Sequence, residues 1–163
     1  MDRIDEIDAK ILNLLQDSGR MKRNRIAEEV NLSVPSVSER MRKLEEKGIL
    51  AGYHAVLDAK RLHVDITAFI RVTVETSNYY PEFVERAVQL DEVQEVHSVT
   101  GEGSHILKVR TRNTTTLENL LSRLQSWPGV HGTSTSIVLS TYKETRRLPV
   151  QPMEIAQIDL QEA

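Results

Sequence analysis

The run Asn31-Leu32-Ser33-Val34-Pro35-Ser36-Val37-Ser38-Glu39-Arg40-Met41-Arg42-Lys43-Leu44-Glu45-Glu46-Lys47-Gly48 decides how the first part of the chain folds. Asn31 breaks the pattern before it, and Leu32 is an apolar plug in a tight turn. Ser33 is an N-cap that accepts from free backbone N–H groups, and Pro35 is tolerated in a first helical turn. Val37, Met41 and Leu44 form an apolar stripe at helical spacing, and Gly48 is placed to end the helix in a left-handed cap. Stepping around the helix turns Pro35, Ser36, Glu39, Arg42, Lys43 and Glu46 outward, with Ser38 and Arg40 on the flanks. That face is small at its start and basic further on. A helix entering a DNA major groove needs short side chains for close approach and longer donors for base edges or phosphates. A mixed-sign face also fits a helix that is merely solvated.

Upstream, Ile4, Ile7, Ile11 and Leu14, with Leu12 and Leu15 beside them, repeat at helical spacing, and Asp5, Glu6 and Asp8 sit where a helix N-terminus favours acids. Ser18-Gly19 ends this first helix, and Ile26, Ala27 and Val30 mark a second of barely two turns. Three helices joined this way predict a helix-turn-helix. Charge agrees. The 163-residue chain has a net charge of -3, which by itself argues weakly against nucleic acid. Residues 18–48 nevertheless carry eight basic groups against five acidic ones, so this segment is where a DNA contact would have to be. Arg20, Lys22, Arg23 and Arg25 are the candidates for gripping the backbone.

Composition bounds the rest. At 39% hydrophobic and 28% charged the chain is globular, not disordered or collagen-like, and its length suits one domain or two small ones. Cys 0 excludes disulfides, thiolate nucleophiles and cysteine metal sites. His54, His63, His97, His105 and His131 match no metal spacing, and no phosphate loop or nucleophile elbow occurs, so no metal, cofactor or catalytic set is expected. No apolar stretch is long enough for a membrane helix and the amino terminus lacks a signal core, so a cytoplasmic location with no membrane partner is expected.

Gly52 to Leu57 has strand character, and Asp58-Ala59-Lys60-Arg61 reads as the way out of the first domain. Ile66, Ala68, Ile70, Val72 and Val74 alternate with Thr67, Phe69, Arg71, Thr73 and Glu75, a strand packed on one face. Pro81 starts a helix whose apolar face is Phe83, Val84, Ala87 and Val88, and Val93 to Thr100 returns as a strand. A shift of 37 places lays Ile70 on Leu107, Val72 on Val109, Phe83 on Leu120, Ala87 on Leu124 and Leu90 on Trp127. The second half repeats the first, which predicts the split βαββαβ arrangement of a ferredoxin-like domain. The fold class expected is therefore α+β: a winged helix-turn-helix domain with linker strand (1–60), a βαββαβ domain (61–142) and a tail (143–163) ordered only by packing on a neighbour. Two helices cover one sheet face. The other, including Phe69, predicts burial against a second copy, hence a homodimer.

The residues Ile4-Asp5-Glu6-Ile7-Asp8-Ala9-Lys10-Ile11-Leu12, Leu15 to Arg20, Ile26-Ala27, Leu32-Ser33, Val37, Arg40 to Glu45 and Gly48 to Tyr53 closely resemble the Lrp/AsnC family of transcription regulators. Lys22 stands where that family usually places a Ser or Thr cap. The resemblance implies sequence-specific binding of double-stranded DNA. It also implies a sensing domain that dimerises through its sheet, with assembly to tetramers or octamers, and a small-molecule effector, possibly an amino acid. It places the effector around Thr100, Gly101, Glu102, Gly103 and Ser104, where Gly101 and Glu102 match the family and Ser104 replaces its usual Asp. Without the family, Gly101 and Gly103 need be no more than a hairpin requiring positive φ. Thr133, Ser134, Thr135 and Ser136 are candidates to line the same pocket. A second reading stays open, an enzyme resembling siroheme decarboxylases of the same two-domain build. The basic third helix argues against it, and absorbance near 400 nm separates the two.

Overall fold

A computed structural model describes residues 3–154. The chain forms two compact units, a first up to Val56 that also takes in residues 145–154, and a second from Leu57 to Glu144.

The first unit is a winged helix-turn-helix. Helices α1 (Glu6–Asp17), α2 (Arg23–Val30) and α3 (Val34–Glu46) enclose Ile11, Leu15, Ile26, Ala27, Val30, Val37 and Met41. A second buried group joins Ala9 and Leu12 of α1 to Ile4 and Leu44. Helix α1 is thus apolar on two sides, and its expected stripe is corrected: Ile4 leaves the helix for a strand, while Ile7 and Leu14 are only half-buried. Asp5 caps α1 in a reciprocal box with Asp8, an arrangement worth about 1 kcal/mol.

Strand β1 (Arg3–Ile4) pairs antiparallel with β6 (Met153–Glu154). This corrects two expectations. Residues 52–57 form no strand: no described strand pairs with them, and Val56 is 98% exposed. The carboxyl tail packs on its own chain: the Gln16 side-chain amide accepts from Leu148 N at 2.7 Å and donates to Leu148 O at 3.0 Å, while Asn13 Nδ2 donates to Val150 O at 3.0 Å. Residues 155–163, which complete the expected tail, lie outside the described residues.

The second unit is the ferredoxin-like βαββαβ domain. Its sheet runs β3-β4-β2-β5, from β2 (Ile66–Val74), β3 (Val93–Ser98), β4 (His105–Thr111) and β5 (Val130–Ile137). Helices α4 (Tyr80–Val88) and α5 (Thr114–Gln125) cover one face, where Ala68, Ile70, Val72, Val74, Leu107 and Val109 meet Phe83, Ala87, Leu117, Leu120 and Leu124. Val88, expected on the apolar face of α4, is 55% exposed because Phe83 and Ala87 already fill the contact with the sheet. Antiparallel register puts Thr67, Phe69 and Arg71 on the open face opposite Arg110, Lys108 and Ile106, so that face is mostly polar and charged. No helix among the described residues is long and apolar enough to cross a membrane.

Candidate nucleic-acid interface and effector site

Local sequence shapes the turn between α2 and α3. Asn31 takes up φ 60 and ψ 43, the left-handed region Asn tolerates best after Gly, and reverses the chain. Ser33 caps α3: its Oγ accepts from Ser36 N at 3.3 Å and lies 2.8 Å from Ser36 Oγ. The small, hydroxyl-bearing start of α3 is therefore preformed. Lys22 occupies the cap position of α2 and supplies no side-chain hydrogen bond.

The outward face of α3 carries its charges as a network. Arg42 donates to both oxygens of Glu39, at 2.9 and 2.7 Å, and pairs with Glu46, while Lys43 lies 3.6 Å from Glu39. The Arg42 guanidinium beside Glu39 holds that carboxyl below the usual range. Arg25 is engaged by Glu28 and Glu29 at 3.1 and 2.7 Å. Arg20, Lys22 and Arg23 are exposed and form no ion pair among the described residues. Arg40 does not join them: it turns onto the start of α1, where Nη1 meets Asp5 at 2.7 Å and Asp8 at 2.8 Å. Ser38 is half-buried, whereas Pro35 and Ser36 are exposed. Tyr53 donates to Glu45 at 2.9 Å, and burial together with that carboxylate pushes its phenol up to about 12.

In the second unit the β3–β4 turn holds Gly101 at φ 95 and Gly103 at φ 78, so glycine suits both places. A Cβ on Gly103 would sit 2.9 Å from Arg71 Cγ and 3.0 Å from Val72 O. The turn is folded tightly over Arg71, whose Nη1 donates to Glu102 O at 3.2 Å. Ser104 points inward: its Oγ accepts from Val74 N at 3.0 Å, donates to Val72 O at 3.3 Å and lies 2.9 Å from His105 Nδ1. Its hydroxyl serves the strands. His105 is fully buried between Tyr80 and Phe83, both with ring centroids at 4.8 Å, and burial pushes its pKa down.

The hydroxyl run divides. Ser134 and Ser136 stand opposite Arg71 and Phe69 on the open face, while Thr133 and Thr135 stand opposite Val72 and Ile70 on the helix side. Gln125 donates to Thr133 Oγ1 at 2.7 Å. Only Ser134 therefore shares a row with Arg71 beside the turn. Arg71 was missed by sequence reading, although it is the lone cation in the outward half of the β2 alternation. Among the described residues no three His, Asp or Glu side chains gather as a metal site.

Residues 4–51 match the family model for a winged helix-turn-helix DNA-binding domain, and residues 67–148 that for the Lrp/AsnC ligand binding domain. The HTH-type transcriptional regulator FL11 of Pyrococcus horikoshii is 38% identical over 148 residues, 91% of this chain and 97% of the relative. The leucine-responsive regulatory protein of Escherichia coli K12 is 32% identical over 151 residues, 91% of this chain and 92% of the relative. A transcriptional regulator of Neisseria meningitidis solved in complex with L-methionine superposes with a TM-score of 0.85 at 31% identity, covering 89% of this chain and 96% of that one. These relatives are transcriptional regulators, not enzymes. With both halves of the chain accounted for, in order and over nearly their full length, the protein belongs to the Lrp/AsnC family of transcriptional regulators.

Proposed function

We propose that α3 enters the DNA major groove, with Ser33, Pro35, Ser36, Ser38, Glu39, Arg42 and Lys43 toward bases or nearby phosphates and Arg20, Lys22, Arg23 and Arg25 on the backbone. Arg40 is left out of this set because it turns away from that face onto the start of α1, where Asp5 and Asp8 hold it partly buried. The observation that carries the reading is the polar face of α3, launched by the Ser33 cap and held on the buried stripe of Val37, Met41 and Leu44. The protein acts in the cytoplasm as a homodimer joined through the open sheet face, where Phe69 is 39% exposed, and assembles further to four or eight chains. Two copies of α3 then read half-sites spaced roughly 34 Å apart, or a multiple of that.

A small effector binds around residues 100–104, with Arg71 and Ser134 as added partners, and changes assembly or DNA affinity. An amino acid is the class proposed, in keeping with the L-methionine complex of the relative. With Ser104 turned inward, the carboxylate of Glu102 is left as the partner for an ammonium group, and the guanidinium of Arg71 suits a carboxylate. Genome-wide footprinting of the full chain, with and without L-methionine and L-leucine, tests both parts. Protected sites with paired half-sites support the DNA reading, and their absence sinks it. A footprint that neither L-methionine nor L-leucine changes sinks the effector reading alone.

A further inference from the structure

Two stretches of chain join the first unit to the second, and both are pinned where they meet the first. On the way out, Ile49 and Leu50 pack on the helices. Tyr53 follows: its ring lies over Gly19, where an added Cβ would meet Cδ1 at 3.9 Å, and its O–H donates to Glu45 of α3 at 2.9 Å. Beyond it Val56 and Leu57 are exposed, and no helix or strand forms before β2. On the way back, Arg147 pairs with Asp17, both ends of the Gln16 amide hold Leu148, and Asn13 holds Val150. The Val150 side chain packs on the cluster of Ile4, Ala9, Leu12 and Leu44.

The two anchorages share one end of α1. Asn13, Gln16 and Asp17 lie in its last turns and Gly19 follows shortly after, so Asp17 and Gly19 are no more than about 7 Å apart at Cα. At their other ends the stretches are neighbours too: Ala68 near the start of β2 stands opposite Ile137 at the end of β5, and Val138 N donates to Thr67 O at 2.9 Å. The outgoing stretch is shortened by a turn, since Asp58 Oδ1 accepts from Lys60 N at 3.0 Å and from Arg61 N at 3.2 Å. A body on one flexible tether turns freely about it, because every unpinned residue adds two soft dihedrals. A second tether running beside the first removes much of that rotation.

We propose that Tyr53, Gln16 and Asn13 are positioning residues for DNA recognition: by clamping both tethers to the end of α1 they fix how α3 is presented, and so set the half-site spacing that the dimer accepts. This role rests on the dimer and the DNA docking proposed above. It needs none of the three residues to be accessible, since each acts through a contact inside the first unit.

The test uses the full-length protein and duplexes carrying two footprinted half-sites whose spacing changes one base pair at a time, with a single half-site as reference. Fluorescence anisotropy gives the affinities. For the unaltered chain, affinity falls roughly tenfold when the spacing moves half a helical turn, about five base pairs, from the best one. Asn13→Ala with Gln16→Ala, and separately Tyr53→Ala, flatten that profile to about threefold or less and leave the single half-site affinity unchanged. Gln16 and Tyr53 are exposed and Asn13 half-buried, so the core is kept, and circular dichroism checks it. Because the chain has no cysteine, Asp17→Cys and Arg147→Cys added to the Asn13 and Gln16 variant let a short bismaleimide restore the clamp, and the sharp profile returns. A profile as sharp in the alanine variants as in the unaltered chain overturns the role, as does a cross-link that joins two chains instead of one. An unaltered chain that binds no duplex sinks the DNA docking itself, and this role with it.

Discussion

Ile70 stands directly opposite Leu107 across β2 and β4, and both side chains are fully buried. A local two-fold axis passes between them: Val72 meets His105 on one side as Ala68 meets Val109 on the other. Phe83 and Ala87 of α4 and Leu120 and Leu124 of α5 close over the two halves. Ile70→Ala and Leu107→Ala are each expected to cost roughly 2–5 kcal/mol, through lost transfer energy and a cavity. Because the two cavities merge, the double variant costs less than the two single losses together, with a coupling of about 0.5–3 kcal/mol. Urea unfolding of the four proteins measures this; strict additivity contradicts it.

Acid acts on the second unit through His105. Burial holds the imidazole below its ordinary value, and Nε2 has no hydrogen-bond partner among the described residues, so the neutral ring is the native form. The stabilising effect of a depressed pKa is complete above the unfolded value of about 6.5 and is lost as pH falls through the folded value. Melting temperatures are expected to drop as pH is lowered below that point. His105→Phe, which keeps the packing against Tyr80 and Phe83, is expected to flatten the drop. An unchanged slope in that variant removes His105 as the cause.

The turn of the helix-turn-helix depends on one backbone conformation. Asn31→Gly, which accepts φ 60 freely, is expected to leave stability nearly unchanged. Asn31→Val is expected to cost about 1–2 kcal/mol or more, since a β-branched residue is strained there. Thermal unfolding decides, and equal stability of the two variants sinks the argument.

Arg40 and Lys22 separate structure from DNA contact. Arg40→Ala breaks the link to Asp5 and Asp8 and lowers stability, with little change in the salt dependence of DNA binding. Lys22→Ala leaves stability alone and lowers the slope of log affinity against log salt by about one unit. Fluorescence anisotropy on one DNA fragment over a salt series checks both. The reverse pattern rejects the assignment.

On α3, Glu39 holds Arg42 in a two-point grip, which DNA would have to break in the proposed docking. Glu39→Gln weakens that grip and removes a charge that repels phosphate. Affinity for random DNA is expected to rise more than affinity for a footprinted site, so discrimination falls. Equal gains on both kinds of DNA count against a specificity role for Glu39.

Much was legible in the chain because it rests on local chemistry. Ser33, Asn31 and Gly48 mark their own helix ends, and the alternation from Ile66 to Val74 needs only the two-residue period of a strand. The 37-residue repeat likewise exposed the paired halves of the sheet domain. The site was less legible. Arg40 looked like a flanking DNA contact because helical phase alone does not reveal that Asp5 and Asp8 lie across from it. The hydroxyl run from Thr133 to Ser136 looked like one surface, yet strand geometry sends alternate members to opposite faces.

The order of residues by itself determined three helices with a tight turn, a doubled strand-helix-strand unit and one basic segment, since caps, periodicity and charge act over a few neighbours. Only the tertiary structure decided that residues 145–154 return to α1, that Ser104 turns inward to the strands, and that Glu144 bridges Lys108 and Arg110. Those are meetings of groups far apart in the chain. Their energy depends on which distant partner is within hydrogen-bond reach, and no local pattern encodes that distance.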